Sequence, residues 1–243
     1  AAYAAGRFST YYAETGLITV FIDSTERSPT FRLYPLDTVQ EPNRKCWIQV
    51  WTKAGAPGEA WRAFLGRPFR GLAAEMYRQP FETEVEDPYL RRAALESLRR
   101  AGDDQADLYD FSLSASNLAG RGPKKGDLCV LVGLGPEAAE FGRAGSSFKN
   151  VFRLAAESGA DVAVLLVTDL PPKEFPGFEA GLRKQALGGG RLVVVPVPVR
   201  SSDDPFGIRQ QMAAKMLLNA HSTAVMAKLG KVVGNTMTNV SPS

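Results

Sequence analysis

Nearly uninterrupted apolar runs recur along the second half of the chain, as LCVLVG, VAVLLVT and LVVVPVPV. Runs rich in Val and Leu are typical of strands buried on both faces, as in a parallel sheet covered by helices. With two shorter runs nearer the N-terminus, the sequence predicts strands over Arg7–Tyr12, Lys45–Trp51, Asp127–Gly133, Asp161–Thr168 and Arg191–Val199. Because Pro196 and Pro198 have no amide hydrogen, we expect the last strand to lie at a sheet edge.

Helical patterns lie between these runs. Apolar positions at helical spacing predict helices over Gly16–Thr25, Glu86–Ala101, Ser146–Ser158, Phe175–Leu187 and Pro205–Leu229. Asp87 is suited to capping its helix and Pro88 to the first helical position. The last helix has a wide apolar stripe that includes Met212 and Met216. Alternating strands and helices predict a doubly wound open α/β sheet, whose ligands bind beyond the carboxyl ends of its strands.

Residues 52–126 are too many for one crossover connection. They contain three helical pieces, over Gly58–Leu65, Phe69–Arg78 and Glu86–Ala101. We interpret this region as a helical insertion or cap within a single domain, 1–243, and Gly120–Gly126 as a linker.

Composition narrows the function classes. The net charge of +3 over 243 residues is small and the basic residues are interleaved with acidic ones, so nucleic-acid binding is not indicated. A single histidine and two distant cysteines, Cys46 and Cys129, argue against a protein-built metal site. We expect both thiols to be small buried hydrophobes. No apolar stretch approaches the roughly 20 residues of a membrane span. With no signal-peptide pattern at the start, we expect a cytoplasmic protein.

The first strand-to-helix junction is a candidate anion site. A helix that starts directly after a strand offers unpaired backbone N–H groups and the positive end of its dipole. Gly16 lets a ligand approach the backbone there, and Thr15 adds a hydroxyl. Neither of the glycine-rich nucleotide patterns, GxGxxG or GxxxxGK[ST], is present, so no cofactor is expected.

Further candidates follow the first helix and the third predicted strand. Glu26 is a candidate acid or base if Pro29 and Phe31 shield its carboxylate; the alternative is an ordinary surface glutamate. Gly135 and Glu137 lie beyond the third strand, at the same ligand edge. Ser146 and Ser147 are further candidate ligand contacts. We interpret them first as caps of the helix they begin, and a cap at that edge can also contact a ligand. The only histidine, His221, is interpreted as a partly buried structural residue.

Two segments carry a recognisable pattern of residues. Lys215–Ser243 follows K-x-x-L-N-x-x-S-T-x-x-M-x-x-L-G-K-V-x-x-N-x-M, and Ile22–Phe31 reads IDSTERSPTF. Both are similar to the SIS (sugar isomerase) family, in the branch of the N-acetylmuramic acid 6-phosphate etherases and glucokinase regulatory proteins, where the second pattern is D-A-S-E-x-P-P-T-F. The matching positions are Asp23, Glu26, Pro29, Thr30, Phe31, Lys215, Leu218, Asn219, Ser222, Thr223, Met226, Leu229, Gly230, Lys231, Val232, Asn235 and Met237.

This resemblance implies a three-layer, doubly wound, five-stranded parallel sheet of the SIS (flavodoxin-like) type. It also implies a sugar phosphate or amino-sugar phosphate as ligand, no cofactor, and pairing as a homodimer or with a second SIS unit. In the etherases, the glutamate of D-A-S-E acts as acid and base when the lactyl ether is opened. That position is Glu26 here.

The ligand loops depart from the family pattern. The phosphate loop G-x-G-T-S-G-R corresponds to Tyr12–Ile18, which retains Thr15 but neither the serine nor the arginine. The second loop, A-A-S-G-R-T-P, corresponds to a stretch near Leu134–Ala138 without Ser or Thr. We therefore expect a regulatory SIS domain or a companion lobe of a two-SIS protein. Two alternatives remain: an etherase-type lyase or phosphosugar isomerase that uses Glu26, and a structural partner that assembles through its last helix.

Overall fold

The computed structural model describes residues 2–26, 32–34, 47–71, 73–99, 110–186, 189–234 and 236–237. The chain forms two compact units. The larger unit contains Ala1–Lys53 and Ala115–Ser243, and the smaller unit contains Ala54–Ser114. Cys46 lies outside the described residues. So do Pro29 and Phe31, the two residues that were predicted to shield Glu26.

The larger unit is built on a parallel sheet. Its strands are β1 (Phe8–Ala13), β2 (Arg32–Tyr34), β3 (Trp47–Trp51), β4 (Leu128–Leu134), β5 (Asp161–Thr168) and β6 (Leu192–Pro198), in the order β2-β3-β1-β4-β5-β6. The five longer strands therefore follow the order 2-1-3-4-5, that of a flavodoxin-like fold. The predicted fold class is confirmed, and the three-residue strand β2 extends the sheet beyond the five predicted strands.

Helices alternate with these strands. The larger unit contains α1 (Leu17–Glu26), α5 (Ala115–Arg121), α6 (Ser147–Glu157), α7 (Phe175–Gln185) and α8 (Ile208–Lys228), with 3-10 helices at Gly135–Phe141 and Pro172–Glu174 and a short antiparallel pair, β7 (Val232–Val233) and β8 (Thr236–Met237). The smaller unit contains α2 (Pro57–Leu65), α3 (Ala74–Glu84) and α4 (Pro88–Arg99). No helix in the described ranges is long and apolar enough to span a membrane.

Helices on both faces explain the uninterrupted apolar runs of β4 and β5. The prediction of burial on both faces is wrong for β6, an edge strand without a buried residue, in which Val193 and Val195 are 55% and 40% exposed. Right-handed crossovers place α1 on one face of the sheet and α6 and α7 on the other, because the chain turns back after β3. Helix α8 packs against α1 and so covers the first face. Strand β4 is buried from Cys129 to Leu134, and the Cys129 thiol is free, as expected for a buried hydrophobe. Burial raises the pKa of this thiol to about 12. Strand β6 lies at the sheet edge, as its prolines predicted.

Several predicted boundaries need correction. Helix α3 begins five residues later than predicted, at Ala74, and continues through Pro80. It has no buried residue, so apolar spacing could not locate it, and the Arg78–Glu82 ion pair at 2.8 Å spans the proline. Helix α5 was not predicted; it ends at Arg121, which is buried although the segment was interpreted as a linker. The predicted cap of α4 is confirmed, since Asp87 accepts bonds from the amides of Tyr89 and Leu90.

The buried face of α8 is not the predicted stripe. Its buried apolar positions are Ala214, Leu218 and Met226, whereas the side chains of Met212 and Met216 are 59% and 69% exposed. The helix is apolar on opposite sides, so apolar spacing alone could not tell which side faces the sheet.

Truncation of the two faces of α8 should have unequal effects. Leu218→Ala should lower the free energy of unfolding by about 2–5 kcal/mol, because it leaves a cavity against the sheet. Met216→Ala, in the same helix but exposed, should change it by less than about 0.5 kcal/mol. Urea denaturation followed by far-UV circular dichroism measures both, and equal losses would contradict this assignment of the buried face.

Candidate functional site

The candidate site lies where β1 and β4 end side by side. From β1 the chain crosses to β3 on one side, and it later continues from β4 to β5 on the other side. This is the topological switch point, where open α/β sheets hold their ligands. Glu14, Thr15 and Gly16 form the turn from β1 into α1, and the 3-10 helix Gly135–Phe141 follows β4 directly.

A carboxylate from the chain itself occupies this switch point. The Thr15 amide donates to Glu137 Oε1 over 2.8 Å, and the Leu134 amide donates to Glu137 Oε2 over 2.8 Å. Glu137 is 7% exposed. The structure thus brings three of the predicted site residues together, Thr15, Glu137 and the neighbouring Gly16, with the carboxylate as acceptor and the turn as donor.

Gly135 lets a helix from the far end of the chain approach this edge. Its φ of +57° is in the left-handed region, and a β-carbon there would lie 2.9 Å from the side-chain oxygen of Gln210. Gln210 is buried at the start of α8 and donates to the Val199 carbonyl over 3.0 Å. The Thr168 hydroxyl donates to the Gly135 carbonyl over 3.1 Å. Gly135 therefore packs into the interior and is not an open ligand floor.

Burial dominates the acidity of Glu137. Removal from water raises the pKa of its carboxyl above the usual range, and the hydrogen bonds from Thr15 and Leu134 only partly oppose this effect. The nearby Glu14 carboxylate raises the pKa further. The negative charge of Glu137 is consequently less stable in the folded protein than it would be in water.

Glu14 lies beside this contact and has two partners, a hydroxyl and an ammonium group. The Tyr12 hydroxyl donates to Glu14 Oε1 over 2.7 Å, and Lys53 Nζ lies 3.1 Å from Glu14 Oε2. Tyr12 is almost completely buried, and burial, followed by the bond to Glu14, raises its pKa. Its hydroxyl also interacts with Ser147. Sequence reasoning missed Lys53, whose position beside Glu14 depends on the parallel pairing of β1 with β3.

The two predicted serines have different surroundings. Ser147 is half-buried beside the Tyr12 hydroxyl. Ser146 is the N-cap residue of α6, but its side chain makes no capping hydrogen bond, so the predicted capping by this hydroxyl is wrong. The hydroxyl is buried and has no hydrogen-bond partner of normal geometry among the described residues, although the Glu140 carboxylate lies near it.

Glu26 belongs to a different cluster, formed between α1 and α8. Lys215 Nζ lies 2.5 Å from Glu26 Oε2, 3.1 Å from Asp23 Oδ1 and 2.8 Å from Asn219 Oδ1. Asp23 is 1% exposed, whereas the Glu26 side chain is 53% exposed. Burial disfavours the charge on Lys215, but the bonds and charges of Glu26 and Asp23 outweigh it and raise the lysine pKa.

The two clusters lie at opposite ends of α1. Thr15 and Gly16 precede the first turn of the helix, and Glu26 is its last residue. Ten residues at 1.5 Å per residue separate Gly16 from Glu26 by about 15 Å. Within one chain, the structure therefore does not bring Glu26 to the Thr15–Glu137 contact.

The only histidine of the chain lies on α8. His221 is exposed, with its ring 6.1 Å from that of Tyr3, so its interpretation as partly buried is wrong. It lies outside the row of buried positions of α8. Within the described residues, no group of three or more His, Cys, Asp or Glu side chains has the arrangement of a metal site.

Comparison with known proteins identifies no relative: no family model, no curated protein and no solved structure matches this chain.

Removal of the lysine from the α1–α8 cluster should be costly. Lys215→Met leaves the buried Asp23 carboxylate without its ammonium partner, and we expect the free energy of unfolding to fall by about 2–4 kcal/mol. Glu26→Gln, which removes the exposed partner of the same lysine, should cost less than about 1 kcal/mol. Chemical denaturation of the two variants and the wild type measures this difference, and a larger loss for Glu26→Gln would refute the assigned order.

Glu137 should also leave a signature in the pH dependence of stability. Because its pKa is raised in the folded state, the folded chain holds this proton more tightly, and its contribution to stability falls as pH rises above the ordinary carboxyl value. Between about pH 4 and pH 7, the unfolding free energy of the wild type should therefore fall relative to that of Glu137→Gln.

Glu140→Gln is the matched control for this titration. The bond to Arg143 lowers the pKa of Glu140. The unfolding free energy of the wild type should therefore rise relative to that of Glu140→Gln as pH rises. Urea titrations at several pH values provide both slopes. Slopes of the same sign would contradict the opposite environments assigned to these two glutamates.

Proposed function

We propose that this chain is an SIS-type unit that binds a sugar phosphate or amino-sugar phosphate and acts as a regulatory or companion lobe, not as an efficient catalyst. The flavodoxin-like sheet and the pattern shared with SIS proteins support this proposal. Its ligand would be held at the carboxyl edge of β1 and β4, where such sheets bind ligands.

Contact between the two resembling segments supports the SIS assignment. Asp23 and Glu26 come from the first segment, and Lys215 and Asn219 come from the second. Their cluster joins positions 192 residues apart, Asp23 and Lys215. Matching residues that are distant in sequence form one local structure, as expected if they belong to a common fold.

The distance between Glu26 and the switch point supports the proposal that this chain is not an efficient catalyst. An acid or base must be within hydrogen-bond reach of the reacting group. Glu26 lies about 15 Å along α1 from the Thr15–Gly16 turn, and Lys215 engages its carboxylate. A ligand whose phosphate lay at this turn would find no acid or base supplied there by Glu26 of the same chain.

We further propose that this unit pairs with a second SIS unit, either another copy or a sister lobe. Thr19 bonds to Gln211 and Asp23 bonds to Lys215, so α1 and α8 run side by side in the same direction. On α1, the residues one position before Thr19 and Asp23 lie on the side of the helix pair that faces away from the sheet. On α8, the residues one position after Gln211 and Lys215 lie on the same side. These are Ile18, Ile22, Met212 and Met216, all between 45% and 69% exposed. A contiguous apolar face of this kind is typical of a protein–protein interface.

A thermal-shift titration with sugar 6-phosphates tests ligand binding. The melting temperature should rise with ligand concentration, because a ligand that binds only the folded state stabilises it. At about 100 times the dissociation constant the stabilisation is about 2.7 kcal/mol, which corresponds to roughly 5–10 °C for a chain of this size. The same sugars without phosphate are the matched ligand controls.

Two results would contradict the proposal. No shift with any sugar phosphate at millimolar concentration would refute ligand binding and leave the structural-partner interpretation. Turnover of N-acetylmuramic acid 6-phosphate at an ordinary enzyme rate, lost in Glu26→Gln, would instead support an etherase-type lyase.

A further inference from the structure

The switch point already contains an anion. Helix α1 is ten residues long, and the amide of Thr15, two residues before its first residue, donates to Glu137. The N-terminal turn of a helix favours a negative charge, since its amides are unpaired and its dipole is positive there. The Leu134 amide at the end of β4 supplies a second donor. A carboxylate from a separate element thus engages donors from both strand ends.

The contact has the features of a bound ligand. Each Glu137 oxygen accepts a bond of 2.8 Å from a different backbone amide. Phosphate and carboxylate oxygens need the same kind of donor. Both amide hydrogens are bonded to Glu137, so a second anion can bond to them only after Glu137 has released them.

We propose that Glu137 is a built-in competitor for the anionic group of a ligand. Its carboxylate occupies the donors of Thr15 and Leu134 in the free protein and closes the anion position of the switch point. A ligand gains that position only by displacing the carboxylate. Replacement of Glu137 by a residue without an acceptor opens the position to small anions.

Tethering makes this competitor effective. Glu137 lies three residues beyond Leu134, so its carboxylate is always close to the donors, whereas a free anion must compete from solution. The 3-10 helix that carries it starts at Gly135, which is held by Thr168 and packed against Gln210. The role of Glu137 as a regulator of sugar-phosphate binding rests on the proposed function; its competition with inorganic phosphate does not.

Inorganic phosphate and acetate provide the test. Glu137→Ala should bind phosphate at least about tenfold more tightly than the wild type, measured by calorimetry and by the rise in melting temperature. Acetate should also raise the melting temperature of Glu137→Ala, because it replaces the missing carboxylate. The wild type should respond to neither at the same ionic strength, which chloride maintains.

Glu140→Ala is the matched control. Glu140 is in the same 3-10 helix and carries the same charge, but its carboxylate pairs with Arg143 instead of the two amides. Its removal should leave the responses to phosphate and acetate at the wild-type level. In 15N-labelled Glu137→Ala, phosphate should shift the amide signals of Thr15 and Leu134, and in Glu140→Ala it should not.

Three outcomes would overturn the proposal: equal phosphate affinity of the wild type and Glu137→Ala, rescue by acetate of Glu140→Ala as well, or unchanged Thr15 and Leu134 signals. If Glu137→Ala does not fold, Glu137→Gln is used. The amide of Gln keeps one acceptor oxygen, so one of the two backbone amides should lose its bond and exchange with solvent at least about tenfold faster. Unchanged exchange at both positions would refute the competition.

The outcomes separate the two proposals. Phosphate binding by Glu137→Ala without any sugar-phosphate response of the wild type supports the competitor and refutes the proposed function. If the wild type responds to a sugar phosphate, and the wild type and Glu137→Ala bind phosphate equally well, the proposed function is supported and the competitor is refuted.

Discussion

Covering both faces of the parallel sheet removes water from every polar side chain that points into the core, and each such group needs a partner within the chain. Gln49 on β3 is fully buried; it donates to the Thr10 hydroxyl over 2.7 Å and accepts from Arg121 over 3.2 Å. Glu137 meets the same requirement at the sheet edge through the amides of Thr15 and Leu134. Desolvation thus determines which groups meet at the switch point, before any ligand is considered.

Two buried carboxylates show different ways to compensate for lost water. Asp23 has the ammonium of Lys215, a full opposite charge. Glu137 has backbone amides, which are dipoles without net charge, and for this carboxyl burial outweighs the hydrogen bonds. The first arrangement suits a fixed joint between helices. The second leaves a carboxylate that another acceptor can replace, because its donors are equally satisfied by any oxygen anion.

Local patterns predicted the fold well and the site only in part. Strands β4 and β5 were found because burial on both faces makes a strand apolar at every position. Strand β6 was found from the same kind of apolar run, although none of its residues is buried. The cap at Asp87 was found because it depends on four consecutive residues, 87–90. The bond between Thr15 and Glu137 spans 122 residues, and no local pattern tells whether a carboxylate beyond a strand faces a ligand or takes its place. Apolar spacing also failed for α3, which buries nothing, and for α8, which is apolar on opposite sides.

The joint between α1 and α8 has a kinetic consequence. Lys215 and Asp23 are 192 residues apart, so their contact closes a loop of most of the chain. Contacts of such sequence separation slow folding, because loop-closure entropy is lost before the contact is gained. We therefore expect this joint to form after the rate-limiting barrier of folding, where an interaction mainly slows unfolding. The joint then contributes to the lifetime of the folded chain. A protease or an unfoldase that acts on transiently open molecules would degrade or unfold a chain without Lys215 faster than the wild type.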